Sequence, residues 1–130
     1  MIRCVIVEDE EIARNVLKSL LSQYCQDVMV CAEADDVESG KAMINAFRPD
    51  MVFLDIEMPG GGGFKLLNSI DNIDFEVVFI TAYEQFAIKA IRHAALDYLL
   101  KPVDPKELVS AVEKVKDAKY KKTLKKQYDT

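Results

Sequence analysis

The sequence predicts an α/β domain in which a parallel sheet is covered by helices on both faces. Two observations carry that prediction. Five short, almost wholly apolar runs alternate with five segments of helical periodicity, and strands buried on both faces read as continuous hydrophobic runs rather than alternating ones. Four of those runs also end on a residue with metal- or phosphate-binding chemistry. Open α/β sheets collect their ligand groups at the carboxyl ends of the strands.

The elements follow in order. Cys4-Val5-Ile6-Val7 is the first strand and runs into Glu8-Asp9. Ile12, Val16, Leu17, Leu20 and Leu21 recur at helical spacing behind it. Val28 to Ala32 is a second strand, and Asp35-Asp36 then supplies the cap for a helix marked by Val37, Gly40, Ile44 and Phe47. Met51-Val52-Phe53-Leu54 is the third strand and ends on Asp55. Gly60 to Gly63 lacks the lysine and hydroxyl of a phosphate-cradling P-loop, so it reads as a flexible turn before a short helix marked by Phe64, Leu67 and Ile70. Val77 to Ile80 runs into Thr81, and Phe86, Ala87, Ala90 and Ile91 mark a weaker fourth helix. Tyr98-Leu99-Leu100 runs into Lys101-Pro102, a fixed turn with room for a cis bond. The fifth helix carries Leu108, Ala111, Val112 and Val115, with Pro105 in its first turn. Right-handed crossovers remove most other ways of connecting such units.

The whole chain sets outer limits. Its 130 residues suit one domain, and a hydrophobic half is enough for a packed interior. The apolar stretches are strand-sized, too short for a membrane span or a signal-peptide core, so a cytoplasmic location is expected. Cys4, Cys25 and Cys31 form no metal-binding spacing and read as reduced, buried thiols. Met29, Met43, Met51 and Met58 read as core or near-core filler. His93, the single histidine, reads as an ordinary helix residue.

The net charge of −5 is unevenly spread: residues 119–130 hold five lysines against Asp129, leaving the rest strongly acidic. An acidic body argues against direct nucleic-acid binding. Apolar periodicity fades in the last dozen residues. The domain is therefore expected to cover residues 1–118, followed by a basic linker or helix extension over 119–130.

Glu8, Asp9 and Asp55 brought to one sheet edge would repel one another unless a cation were present. Without a Cys/His cluster, that cation is expected to be Mg²⁺ and not Zn²⁺. Glu10 and Glu11 read instead as a solvated helix start. Asp55 can serve as a nucleophile that forms an aspartyl phosphate, Lys101 can neutralise the phosphoryl oxygens, and Thr81 can hydrogen-bond one of them.

The segments Val5-Ile6-Val7-Glu8-Asp9, Phe53-Leu54-Asp55-Ile56-Glu57-Met58-Pro59-Gly60, Ile80-Thr81-Ala82 and Ala95 to Pro102 together resemble the receiver domain of two-component response regulators. The resemblance implies a flavodoxin-like fold with strand order 2-1-3-4-5. It implies that Asp55 accepts a phosphoryl group from a sensor histidine kinase or a small phosphodonor. Asp9 and Asp55 would bind Mg²⁺ directly, with Glu8 in the acidic pair and the Glu57 backbone carbonyl as a further ligand. Thr81 would be the switch hydroxyl, Lys101 the phosphate-binding lysine and Tyr98 the switch aromatic. A receiver homodimer or an output contact on the face carrying the fourth and fifth helices is also implied.

Thr81-Ala82-Tyr83-Glu84 and Leu96 to Val103 are most similar to receivers that precede LytTR-type DNA-binding domains, which points to transcription control through an output absent from this chain, with a stand-alone receiver as the alternative. Two features depart from the family pattern. Glu8 replaces the more frequent Asp, and the four-glycine run adds backbone freedom beside the site. Two other functional classes compete. Asp55-Ile56-Glu57 partly resembles the Asp-x-Asp of haloacid-dehalogenase phosphohydrolases, but it has Glu third and no cap domain accompanies it. An unphosphorylated interaction module would be expected to lack Asp55, Thr81 or Lys101.

Overall fold

The computed structural model describes residues 1–128. Five parallel strands form one sheet: β1 (Ile2–Val7), β2 (Val28–Ala34), β3 (Met51–Leu54), β4 (Glu76–Thr81) and β5 (Asp97–Leu100), in spatial order β2-β1-β3-β4-β5. The helices are α1 (Glu11–Tyr24), α2 (Val37–Phe47), α3 (Gly62–Asn68), α4 (Ala87–Arg92) and α5 (Pro105–Tyr128). The expected fold class and strand order both hold. No described helix is long and apolar enough to cross a membrane.

Alternate residues of each strand serve two cores. Val5, Val7, Val52, Leu54, Val77 and Phe79 face α2, α3 and α4 through Val37, Ile44, Leu66, Leu67 and Ala90. Cys4, Ile6, Met51, Phe53, Val78 and Ile80 face α1 and α5 through Leu17, Leu21, Leu108, Ala111, Val112 and Val115. Burial on both faces explains why the strands lack polar alternation. The register carries each apolar run to the same edge: Val7 lies beside Leu54, Leu54 beside Phe79, and Thr81 beside Leu100.

Helix boundaries follow local chemistry. Asp36 caps α2 by accepting the Ser39 amide at 2.7 Å, while Ser39 reciprocates at the Asp36 amide. The first half of the glycine run is the turn expected before α3: Gly60 and Gly61 form it. Gly60, Gly61 and Gly62 all have positive φ, and Gly62 and Gly63 already belong to α3. A Cβ on Gly62 would lie 2.1 Å from the Ile56 carbonyl oxygen, and one on Gly63 would lie 2.5 Å from that of Asp55. Both glycines permit a close backbone approach, and Gly62 makes it at positive φ.

Several apolar residues sit differently from expectation. Ile12 and Val16 on α1 and Ile91 on α4 are exposed, as are Phe47 and Met29. Helical spacing marks a face, but neighbouring elements decide how much of that face is covered. Cys4 and Cys25 are buried as expected, whereas Cys31 is half-buried. His93 caps the end of α4, with its ring 4.8 Å from that of Phe64 and within 3.2 Å of the Asn68 side-chain oxygen.

Helix α5 runs past residue 118 to Tyr128; residues 129 and 130 of the expected basic segment lie outside the described residues. Its lysines reach the amino ends of all five strands. Lys114 pairs with Asp97 of β5 at 2.9 Å, and Lys116 pairs with Asp27 just before β2. Lys119 meets Asp50 before β3 at 3.2 Å and the Met1 carbonyl before β1 at 3.0 Å, and Lys122 meets Glu76 of β4 at 3.1 Å. Singly, such surface pairs contribute about 0–1 kcal/mol; together they fasten α5 along the amino edge of the sheet, Lys119 and Lys122 doing so past residue 118.

Candidate functional site

The backbone ladder places three site residues one step beyond their strands. The Glu8 amide donates to the Ala34 carbonyl at 2.9 Å, the Asp55 amide to Val7 at 3.0 Å, and the Lys101 amide to Thr81 at 2.8 Å. Each side chain thus leaves the sheet from a position fixed by the neighbouring strand. The Lys101–Pro102 peptide bond is cis.

Lys101 is the centre of the charge arrangement. Its ammonium donates to Glu8 Oε1 and, at 3.1 Å, to Asp55 Oδ2, with Glu10 Oε1 at 3.9 Å. Glu8 and Asp55 are buried, while Asp9 and Glu10 are exposed. Burial pushes the Glu8 carboxyl up to about 7, and Asp9 and Asp55 push in the same direction against the lowering effect of Lys101. Burial works against the Lys101 ammonium, but Glu8 and Asp55 outweigh it and raise its pKa.

Carboxylate oxygens of Glu8, Asp9 and Glu10 lie within 4.8 Å of one another. This all-oxygen set, with Asp55 joined to it through Lys101, fits a hard divalent cation such as Mg²⁺ better than a thiophilic one. Glu10, expected to be only a solvated helix start, therefore stands close to the acidic pair. The Glu57 amide donates to Asp55 Oδ1 at 3.3 Å, which holds the carboxylate against its own loop.

Thr81 is fully buried at the end of β4, and its hydroxyl accepts the Tyr83 amide at 3.3 Å. Tyr98 is half-buried: its ring lies 6.2 Å from that of Phe79, and its hydroxyl donates to the Tyr83 carbonyl. Burial raises its pKa. Thr81 and Tyr98 are therefore linked through the two backbone groups of Tyr83, a residue to which sequence reasoning assigned no role of its own. Sequence reasoning also passed over Arg14, whose guanidinium bonds the Glu8 carbonyl at 2.9 Å. Its place six residues beyond Glu8, early in α1, was the only available signal.

An apolar cavity of about 320 Å³ opens beside this edge. Val16, Leu17 and Leu20 of α1 face Pro102 and Val103 across it, and Asp55 and Lys101 lie on its wall.

Known proteins resemble this chain over most of its length. The family described as response regulator receiver domain matches residues 4–113. An uncharacterized response regulatory protein of Vibrio cholerae is 41% identical over 116 residues, covering 88% of this chain and 48% of the relative. The sensory transduction protein LytT of Bacillus cereus is 39% identical, covering 92% of this chain and 49% of its own. The transcriptional regulatory protein BtsR of Escherichia coli is 34% identical, covering 95% and 52%. The chain thus spans about half the length of these curated relatives. Among solved structures, the receiver domain of AraT, a response regulator from Geobacillus stearothermophilus, superposes with a TM-score of 0.82 at 31% identity, covering 94% of this chain and 98% of that one.

Proposed function

The chain belongs to the response regulator receiver family of two-component signalling, and on that premise we propose that Asp55 is its phosphoacceptor. The observation that carries this reading is the buried Asp55 carboxylate held 3.1 Å from the Lys101 ammonium at the carboxyl edge of the sheet. An Asp55 oxygen attacks phosphorus in the phosphohistidine of a sensor histidine kinase. The phosphorus–nitrogen bond breaks, and the imidazole nitrogen keeps the bonding pair and takes up a proton. Lys101, already between two carboxylates, moves its charge onto the new phosphoryl oxygens.

Mg²⁺, held by Asp9 and Asp55 with the Glu57 carbonyl and oriented by Glu8, would neutralise charge on the transferred group. Thr81 hydrogen-bonds a phosphoryl oxygen in the modified state. That motion breaks its contact with the Tyr83 amide and so reaches Tyr98 through the Tyr83 carbonyl. The chain's own chemistry is limited to acquiring and losing this phosphoryl group.

The cavity between α1 and Pro102-Val103, with Ile12 and Val16 exposed on α1, supplies an apolar surface against which a kinase can pack. Exposed Ile88 and Ile91 on α4 favour a second copy of this domain as the partner on the face of the fourth and fifth helices. Residues 1–118 form the receiver and 119–130 the extension toward an output. By analogy with the sensory and transcriptional relatives, that output is a LytTR-type DNA-binding domain in a cytoplasmic regulator.

Intact-mass spectrometry after incubation with acetyl phosphate tests the core of this reading. One phosphoryl adduct is expected on the wild-type protein in Mg²⁺, and none in chelator or on Asp55→Asn. An adduct that persists on folded Asp55→Asn sinks the assignment.

A further inference from the structure

Arg14 lies outside the acidic pair, yet it contacts the backbone from which that pair springs. Its Nη1 donates to the Glu8 carbonyl oxygen at 2.9 Å. Its Nε stands 3.3 Å from Glu33 Oε1 on β2, and its side chain is only 18% exposed. The other Glu33 oxygen takes Lys18 at 2.9 Å. A chain of charge therefore runs from the second turn of α1 to β2 and back to the end of β1.

The bonded carbonyl matters because of what shares its plane. The Glu8 carbonyl and the Asp9 amide belong to one rigid peptide unit. Clamping that oxygen fixes the bond from which Asp9 departs. Glu8 has further restraints: its amide bonds Ala34, its carboxylate meets Lys101, and Glu8 Oε2 accepts the Glu10 amide at 3.2 Å. Asp9 is exposed; its carboxyl lies against that of Glu8, and the peptide plane from which it departs sets the rest of its direction.

We propose that Arg14 is a positioning residue: by holding the Glu8–Asp9 peptide through its carbonyl, with Glu33 as its own support, it preorganises Asp9 toward the cation. The inference rests on Asp9 and Asp55 being Mg²⁺ ligands. Groups that orient metal ligands without touching the metal change affinity by about 10- to 100-fold when removed. Arginine is suited to the task because its planar fork presents Nη to one acceptor and Nε to another, which a lysine cannot reproduce.

A positive charge near the site has an opposite, purely electrostatic effect, since it repels a divalent cation. The two roles therefore predict different orders of affinity. Mg²⁺ binding is measured by isothermal titration calorimetry on the wild type, Arg14→Lys, Arg14→Gln and Glu33→Gln. Amide exchange of Asp9 and Glu10 is followed in the same proteins without metal. Positioning predicts that Arg14→Lys and Arg14→Gln both weaken Mg²⁺ by about 10-fold, that Glu33→Gln weakens it less, and that the Asp9 and Glu10 amides exchange faster in all three.

Wild-type affinity in Arg14→Lys with tighter binding in Arg14→Gln would overturn the proposal in favour of a simple field effect. If the Arg14 variants do not fold, Glu33→Gln decides alone, because its carboxylate acts on the loop through Arg14. If the wild type binds no Mg²⁺, the metal reading of the site fails. The exchange rates then judge the clamp itself: unchanged rates overturn it, and faster ones uphold it.

Discussion

Replacing Glu8 with glutamine should stabilise this protein at pH 8 in the absence of divalent cations and leave it nearly unchanged at pH 4.5. Glu8 is 5% exposed, and its carboxyl is pushed by burial from an ordinary value near 4.5 up to about 7 despite its contact with Lys101. The folded state therefore prefers the protonated acid. Its contribution to stability is fully present below the unfolded value of 4.5 and is lost as pH rises through about 7. At about 1.4 kcal/mol for each pH unit, the loss amounts to about 3 kcal/mol.

Glutamine has the shape of the neutral acid and does not titrate, so the variant escapes this loss. Lys101 keeps Asp55 as its partner. The ion pair with Glu8 does not offset the cost of burying that charge, as is common for buried pairs. Urea unfolding of both proteins between pH 4.5 and 8.5 in chelator measures the difference. It should grow to about 3 kcal/mol, or about 10 °C in Tm for a domain of this size. A difference that stays flat with pH, or a wild type that is the more stable at pH 8, would refute the assignment of a raised Glu8 pKa.

Two further outcomes follow from the packing. Gly63→Ala should lower the urea midpoint by the equivalent of about 1–3 kcal/mol, because the new Cβ would stand 2.5 Å from the Asp55 carbonyl and 2.9 Å from Leu54 Cγ; wild-type stability would show that this turn yields. Native protein treated with a thiol-reactive disulfide at pH 8 should lose half-buried Cys31 first. Cys4, fully buried and with its thiol pushed up to about 12 by burial, should react only after unfolding. Early modification of Cys4, located by peptide mapping, would contradict this order.

The sequence by itself determined the alternation of strands and helices, the two-sided burial of the sheet and the gathering of Glu8, Asp9, Asp55, Thr81 and Lys101 at one edge. Those features depend on polarity and period along the chain, which are local properties. Only the tertiary structure decided how neighbours in sequence diverge. Glu8 is buried and Asp9 exposed because the crossover of β1 into α1 turns one toward Lys101 and the other toward solvent.

The meeting of Lys101 with Glu8 and Asp55 joins residues 93 and 46 positions apart. The Arg14 contact with the Glu8 carbonyl depends on the pitch and seating of α1, and the exposure of Ile12, Val16 and Ile91 on what packs beside their helices. The glycine run was legible as a turn before α3, because composition reports what a residue permits. The carbonyls of Asp55 and Ile56, pressed against Gly63 and Gly62, show that the fold uses that permission for close approach.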